Sequence, residues 1–148
     1  MKKILVFLFL FFAQNLFAQE TFTYDEFRYT INENNEITIT GCSDYYSSVN
    51  IPSVIDGKTV TTIGEETFSY CDSLTSITIP NSVTTIGNYA FEYCKSLKSI
   101  TIPDSVTYIG KGVFSSCYYL IIQCNPGSYA EKYCKEKNIK CLITPDCL

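Results

Sequence analysis

A chain of 148 residues, 46% of them hydrophobic, is long enough for one domain with a buried core and short for two. Its formal charge of -4 and the absence of any extended run of positive charge exclude a binder of nucleic-acid backbone, which needs a basic face. It has no histidine, which removes the commonest general base, the commonest metal ligand and the usual partner of a Ser or Cys nucleophile.

The first eighteen residues read as an export signal. Lys2 and Lys3 form a short positive region, Ile4 to Ala13 is almost unbroken apolar sequence, and Ala18 is a small residue at the expected cleavage point. The apolar stretch is short for a bilayer span, although an uncleaved N-terminal anchor is the alternative. After Gln19 no stretch is apolar for long enough to form a transmembrane helix. A secreted or cell-surface protein is therefore expected.

Residues 19–50 are expected to form an N-terminal cap. Phe27, Tyr29 and Ile31 alternate with polar residues, as do Ile37 and Ile39, and Asn32-Glu33-Asn34-Asn35 supplies the turn of a hairpin.

From residue 51 the sequence repeats. Ile63-Gly64, Ile86-Gly87 and Ile109-Gly110 follow one another at 23-residue intervals. The triplets Phe68, Phe91, Phe114; Cys71, Cys94, Cys117; and Leu74, Leu97, Leu120 keep the same spacing. Val60–Thr78 aligned on Val83–Thr101 gives 13 identities in 19 positions, where chance gives about one. The repeats divide as 51–78, 79–101 and 102–124, the first carrying extra residues around an Asp56-Gly57 turn.

Within a unit, Leu74-x-x-Ile77-x-Ile79 has the period of a strand, with Ile77 and Ile79 inward and Ser76 and Thr78 outward. Pro80 and Pro103 lack an amide donor and end their strands. Val83 and Ile86 begin a second extended segment, which Gly87 is expected to break with a positive φ. Asn88 to Cys94 is expected to make a helical turn or two and to bury Ala90, Phe91 and Cys94. A single coil buries too few apolar groups to offset the entropy of ordering it, so coils must stack roughly 4.8 Å apart.

The repeated string I-P-x-S-V-T-x-I-G-x-x-x-F-x-x-C-x-S-L-x-x-I resembles the BspA-type leucine-rich repeat, and the resemblance covers roughly Phe22 to Ile143. It implies a short right-handed α/β solenoid with 23-residue coils, a parallel sheet on one face and short helical turns on the other. It also implies secreted or cell-surface placement and, often, adhesion to host proteins or to other cells.

Residues 125–148 are expected to close the stack with a helix and a strand. Gln123 and Asn125 stand where earlier units place the inward Ile pair. Ser128-x-x-Glu131 is a capping box opening a helix to about Lys137, with Ala130, Tyr133 and Cys134 on one face. Ile139 to Ile143 reads as a final strand.

Export permits disulfides among the eight cysteines. Cys71, Cys94 and Cys117 occupy one ladder position and read as reduced core residues. Cys42, Cys124, Cys134, Cys141 and Cys147 lie in the end segments, where a bridge is more plausible and at most one or two are expected, with the pairing open. No C-x-x-C pair suggests zinc.

These features point to a non-catalytic, monomeric binding module for a protein or glycan on a surface or matrix, without cofactor, metal or nucleic acid. Its candidate face is the outward strand surface: Ser76, Thr78, Lys98, Ser99 and Thr101, with Thr38, Thr40 and the tyrosines Tyr45, Tyr46, Tyr108, Tyr118 and Tyr119 as possible additions. Taken singly, these Thr and Tyr residues also simply suit strands and solvent edges. The alternative is a structural or assembly component of the cell surface. An enzyme is disfavoured because no carboxylate pair recurs across the units. A water-ordering Thr face is disfavoured because only two coils carry it.

Overall fold

The computed structural model describes residues 20–43 and 46–144. The expected export signal, Tyr45 and Cys147 lie outside the described residues. The elements in chain order are β1 (Phe22–Tyr24), β2 (Phe27–Ile31), β3 (Ile37–Cys42), β4 (Ser48–Asn50), β5 (Val54–Ile55) and β6 (Lys58–Ile63). They continue as β7 (Ser76–Thr78), β8 (Thr85–Ile86), β9 (Ser99–Thr101), β10 (Tyr108–Ile109), β11 (Ile121–Cys124), α1 (Tyr129–Lys137) and β12 (Cys141–Ile143).

The strands form a β-solenoid with a leucine-rich-repeat fold. Each repeat passes through two sheets. One sheet runs β4-β7-β9-β11-β12 and is parallel throughout. The other runs β1-β2-β3-β6-β8-β10, with β5 folded back on β6. It is parallel from β3 onward, and β1, β2 and β3 are antiparallel. The 23-residue spacing puts chemically identical side chains opposite one another: Ile77 pairs with Ile100 and Ile63 with Ile86. One continuous apolar core follows, in which Phe68, Leu74, Phe91, Leu97 and Ile100 are at most 1% exposed. Phe114 continues the phenylalanine ladder 5.6 Å from Phe91, and Tyr133 of α1 closes it edge-on, 6.2 Å from Phe114.

Three local expectations need correction. First, the segment opposite the β7 sheet is not helical. Glu66 and Tyr89 have positive φ, as do Tyr70 and Tyr93, four residues further on. That interrupts any run of right-handed helical residues. The amides of Glu66, Phe68 and Tyr70 instead donate to the carbonyls of Asn88, Ala90 and Glu92 in the next coil. Hydrogen bonding along the stack therefore replaces bonding along a helix, and α1 is the one α-helix among the described residues.

Second, Gly87 is not among the positive-φ residues. It is small because a Cβ there would stand 2.7 Å from the Glu65 nitrogen and 2.8 Å from the Gly64 carbonyl carbon. Gly110 meets the backbone of Asn88 and Gly87 in the same way. The Ile-Gly step marks a corner where backbones of successive coils nearly touch.

Third, the inward apolar pair is not lost at Gln123 and Asn125. In β11, Ile121, Ile122 and Gln123 lie opposite Ser99, Ile100 and Thr101. The offset is 22 residues there, against 23 between Leu97 and Leu120. One residue has been deleted between Leu120 and Ile121, so Ile122 and Cys124, both fully buried, take the inward positions.

At the N-terminal end, β2 and β3 form the expected antiparallel pair around Asn32 to Asn35. The Asn32 carboxamide oxygen accepts from the amides of Asn34 and Glu36, and Asn35 takes a left-handed conformation. At the other end, Ser128 Oγ accepts from the Glu131 amide and the Glu131 carboxylate accepts from the Gly127 amide. These contacts satisfy donors at the α1 N-terminus. Asn138, left-handed, stops the helix. Ala130, Tyr133 and Cys134 are its buried residues.

Candidate binding face

Alternation along the strands decides what the β4-β7-β9-β11 sheet presents to solvent. Val49, Ile77, Ile100 and Ile122 point into the core. Their neighbours must point out, and the parallel register lines them up in two ranks. Ser48, Ser76 and Ser99 form one, ended by Ile121. Asn50, Thr78, Thr101 and Gln123 form the other. The structure thus brings together four of the residues chosen from sequence: Ser76, Thr78, Ser99 and Thr101. Lys98 is exposed immediately before β9. No ion pair among the described residues engages its ammonium.

Thr38 and Thr40 do not belong to this face. They lie in β3, in the other sheet, where Thr38 is opposite Thr62. Tyr108 also lies in that sheet, in β10. Ser48, Asn50 and Gln123 complete the ranks and were not singled out in sequence. Ser48 and Asn50 precede the recognisable repeats, and the deletion before Ile121 hides Gln123 from a 23-residue alignment.

The hydroxyls of the two sheets are used differently. Beside the β6-β8-β10 sheet, Thr84 donates to the Thr61 carbonyl and Ser105 to the Val83 carbonyl, each tying one coil to the preceding backbone. On the candidate face the contacts run between side chains. Ser76 Oγ donates to Ser48 Oγ at 3.0 Å, and Thr101 Oγ1 donates to Gln123 Oε1 at 3.0 Å. Each hydroxyl or carboxamide retains further donor or acceptor capacity toward solvent.

Tyrosines border this face on the turns leading into β7, β9 and β11. Tyr70 and Tyr93 stack with ring centroids 4.7 Å apart. Tyr118 and Tyr119 are the most exposed large apolar residues described, at 74% and 75%. Asp72 and Lys95, two residues beyond Tyr70 and Tyr93 in the chain, form an ion pair at 3.7 Å with both groups exposed. Tyr46, just before β4, is also exposed.

Of the ladder cysteines, Cys71 and Cys94 are part of the interior and Cys117 packs partly buried against it. Cys94 Sγ donates to the Phe68 carbonyl and Cys117 Sγ to the Phe91 carbonyl, each at 3.0 Å. Contact with the Cys117 side chain and then burial hold the Cys94 thiol in its protonated form. Cys94, Cys117, Cys124, Cys134 and Cys141 carry unbridged thiols. Among the described residues no group of three or more His, Cys, Asp or Glu is placed to hold a metal ion. No described helix is long and apolar enough to cross a membrane.

Comparison with known proteins places this geometry. Residues 15–141 match the family model of the BspA type leucine rich repeat region, in six copies. A leucine rich cell surface protein from Faecalibacterium prausnitzii is 30% identical, with a TM-score of 0.66, over 79% of this chain and 35% of its own. A leucine-rich repeat protein from Bacteroides ovatus is 36% identical, with a TM-score of 0.63, over 70% of this chain and 31% of its own. Another from Bacteroides capillosus is 30% identical, with a TM-score of 0.65, over 70% of this chain and 80% of its own. The chain spans about a third of the length of the first two. No curated protein matches it. Proteins of this repeat class are generally protein-binding.

Proposed function

Because the chain belongs to the BspA-type leucine-rich repeat family, we propose that it is an exported, non-catalytic module that binds a protein on a cell surface or in a matrix. The docking face is the β4-β7-β9-β11 sheet. The observation that carries this reading is the in-register rank Asn50, Thr78, Thr101 and Gln123, with exposed tyrosines along its border. A rank of hydroxyls and carboxamides offers repeated hydrogen-bonding groups at the strand spacing. Tyrosine supplies contact area at low entropy cost and is enriched at protein interfaces. Lys98 adds a positive charge to the middle of the face. Export is supported by the apolar N-terminal stretch after Lys2-Lys3 and by the likeness to a protein named for the cell surface. The end segments, with the antiparallel β1-β2-β3 strands at one end and α1 with β12 at the other, cover the apolar ladders as caps.

The test is binding of the purified protein to immobilised matrix and serum proteins, with glycans as a parallel arm. Saturable binding to a protein is expected, weakened at least about tenfold by Thr78→Glu with Thr101→Glu. Circular dichroism checks that the double variant remains folded. Unchanged affinity would remove this face, and glycan-only binding would replace the protein partner with a carbohydrate. No binding at all by the folded protein would move the reading to assembly with its own cell-surface components.

A further inference from the structure

We propose that Cys124 and Cys141 are a thiol oxidation site, closed by a small-molecule disulfide that enters between α1 and β12. The two residues lie on adjacent parallel strands. Cys141 is opposite Ile122 and Cys124 opposite Ile143, so they form a diagonal pair. Their side chains lean toward each other beneath α1 until the sulfurs are 3.0 Å apart. Closing a disulfide needs a further approach of about 1 Å. β12 can supply it, because β11 is its one strand neighbour among the described residues.

Access distinguishes the two thiols. A recess of about 330 Å³ opens between α1 and β12, and Cys134 and Cys141 line it together with Lys135 and Asn138. Cys124 is fully buried behind it. Cys141 is therefore the thiol that meets a reagent, and Cys124 is the thiol that meets Cys141. In the first step the Cys141 thiolate attacks one sulfur of a small organic disulfide. A mixed disulfide forms and one small thiol leaves with a proton. In the second step Cys124 Sγ loses its proton and attacks the Cys141 sulfur, and the second small thiol leaves. The protein has lost two hydrogens and the reagent has been reduced to two thiols. The third cysteine of the cluster, Cys134, sits on α1, is 2% exposed and also contacts the Cys141 thiol. The 3.0 Å approach of Cys124 to Cys141 assigns the bond to that pair and leaves Cys134 out of the product.

Selectivity follows from the rest of the molecule. Cys94, buried, and Cys117, partly buried, donate to carbonyls of the preceding coil, and neither lines the recess. Burial raises the Cys141 thiol, and burial pushes Cys124 up to about 12. The reaction therefore runs faster at pH 9 than at pH 7, as the thiolate fraction rises. The bond encloses α1 in a closed loop, so oxidation holds that helix against the stack.

The experiment incubates the purified protein with oxidised glutathione, alkylates it under denaturing conditions and maps the disulfide-linked peptides by mass spectrometry. The expected product links the peptides of Cys124 and Cys141, while Cys71, Cys94 and Cys117 are alkylated. Oxidation should raise Tm by about 10 °C, reversed by dithiothreitol. Cys134→Ser should keep the link, and Cys124→Ser should stop at Cys141 carrying one glutathione. A link from Cys141 to Cys134 or Cys147, or full alkylation after oxidation, would overturn the assignment. So would protection of the thiols by zinc alone.

Discussion

The rings of Phe68 and Phe91 lie parallel in successive coils, with planes 1° apart and centroids 5.1 Å apart. Both are buried to within 1%. Phe91 is held on its other side by Phe114, so its removal opens a void flanked by aromatic rings that cannot both move in. Phe91→Ala should cost about 3–5 kcal/mol in denaturant unfolding, transfer and cavity together. A near-neutral result would mean that this ladder does not form the core.

A corner glycine and a turn glycine make a second prediction, because each position calls for glycine for a different reason. Gly87 has ordinary backbone torsions and no room, since a Cβ would meet backbone at 2.7 Å. Gly57 has φ of +76° and nothing within 4 Å. Gly57→Ala should therefore cost about 1 kcal/mol, the strain of a left-handed L-residue. Gly87→Ala must displace one coil against the next and should cost more, about 2–3 kcal/mol. Chemical denaturation of both variants decides the order, and equal effects would show that the corner yields easily.

The repeat was legible because stacking forces chemical identity on equivalent positions, and the same positions carry Phe, Cys, Leu and Ile in each unit. The strand Ser76–Thr78, the hairpin turn at Asn32 to Asn35 and the Ser128 cap were legible because each depends on neighbours in sequence. What was not legible depends on neighbours in space. The Asn88–Cys94 segment contains apolar residues at helical spacing. Only the next coil, with carbonyls at hand, explains why its amides turn sideways. The corner role of Gly87 likewise needs Gly64 to be present beside it. The candidate face was read in its middle and missed at its ends, where Ser48 and Asn50 lack the repeat's signature and Gln123 is one residue out of step.

Acid should weaken the α1 end of the molecule. The Lys135 ammonium and then the Gly127 amide, both bonded to the Glu131 carboxylate, lower its pKa below the ordinary 4.5. A folded-state pKa lower than the unfolded one contributes stability that is present above about pH 4.5 and is lost as pH falls through the folded value. Glu131→Gln cannot titrate. The wild-type protein should therefore melt higher than this variant at pH 7, and the difference should shrink as pH falls below about 4.5. Because Lys135 is largely exposed, added salt should reduce the difference as well. A difference that stays constant across this range would mean the carboxylate charge does not favour the folded helix.

The one-residue deletion before β11 gives the sharpest contrast, since two adjacent substitutions exchange their expected effects depending on register. A strict 23-residue alignment makes Gln123 the equivalent of buried Ile100. The observed pairing makes Ile122 that equivalent and sets Gln123 beside Thr101 on the outer rank. Ile122 is fully buried, so Ile122→Lys puts an ammonium into the core and should unfold the C-terminal coils, at a cost above about 4 kcal/mol. Gln123→Lys loses the bond from Thr101 and otherwise faces solvent, so its cost should stay near about 0.5–1 kcal/mol. Thermal melts of the two variants read the register directly. If Gln123→Lys proved the more damaging, Ile100 and Ile122 would not be partners, and the outer rank would end at Thr101.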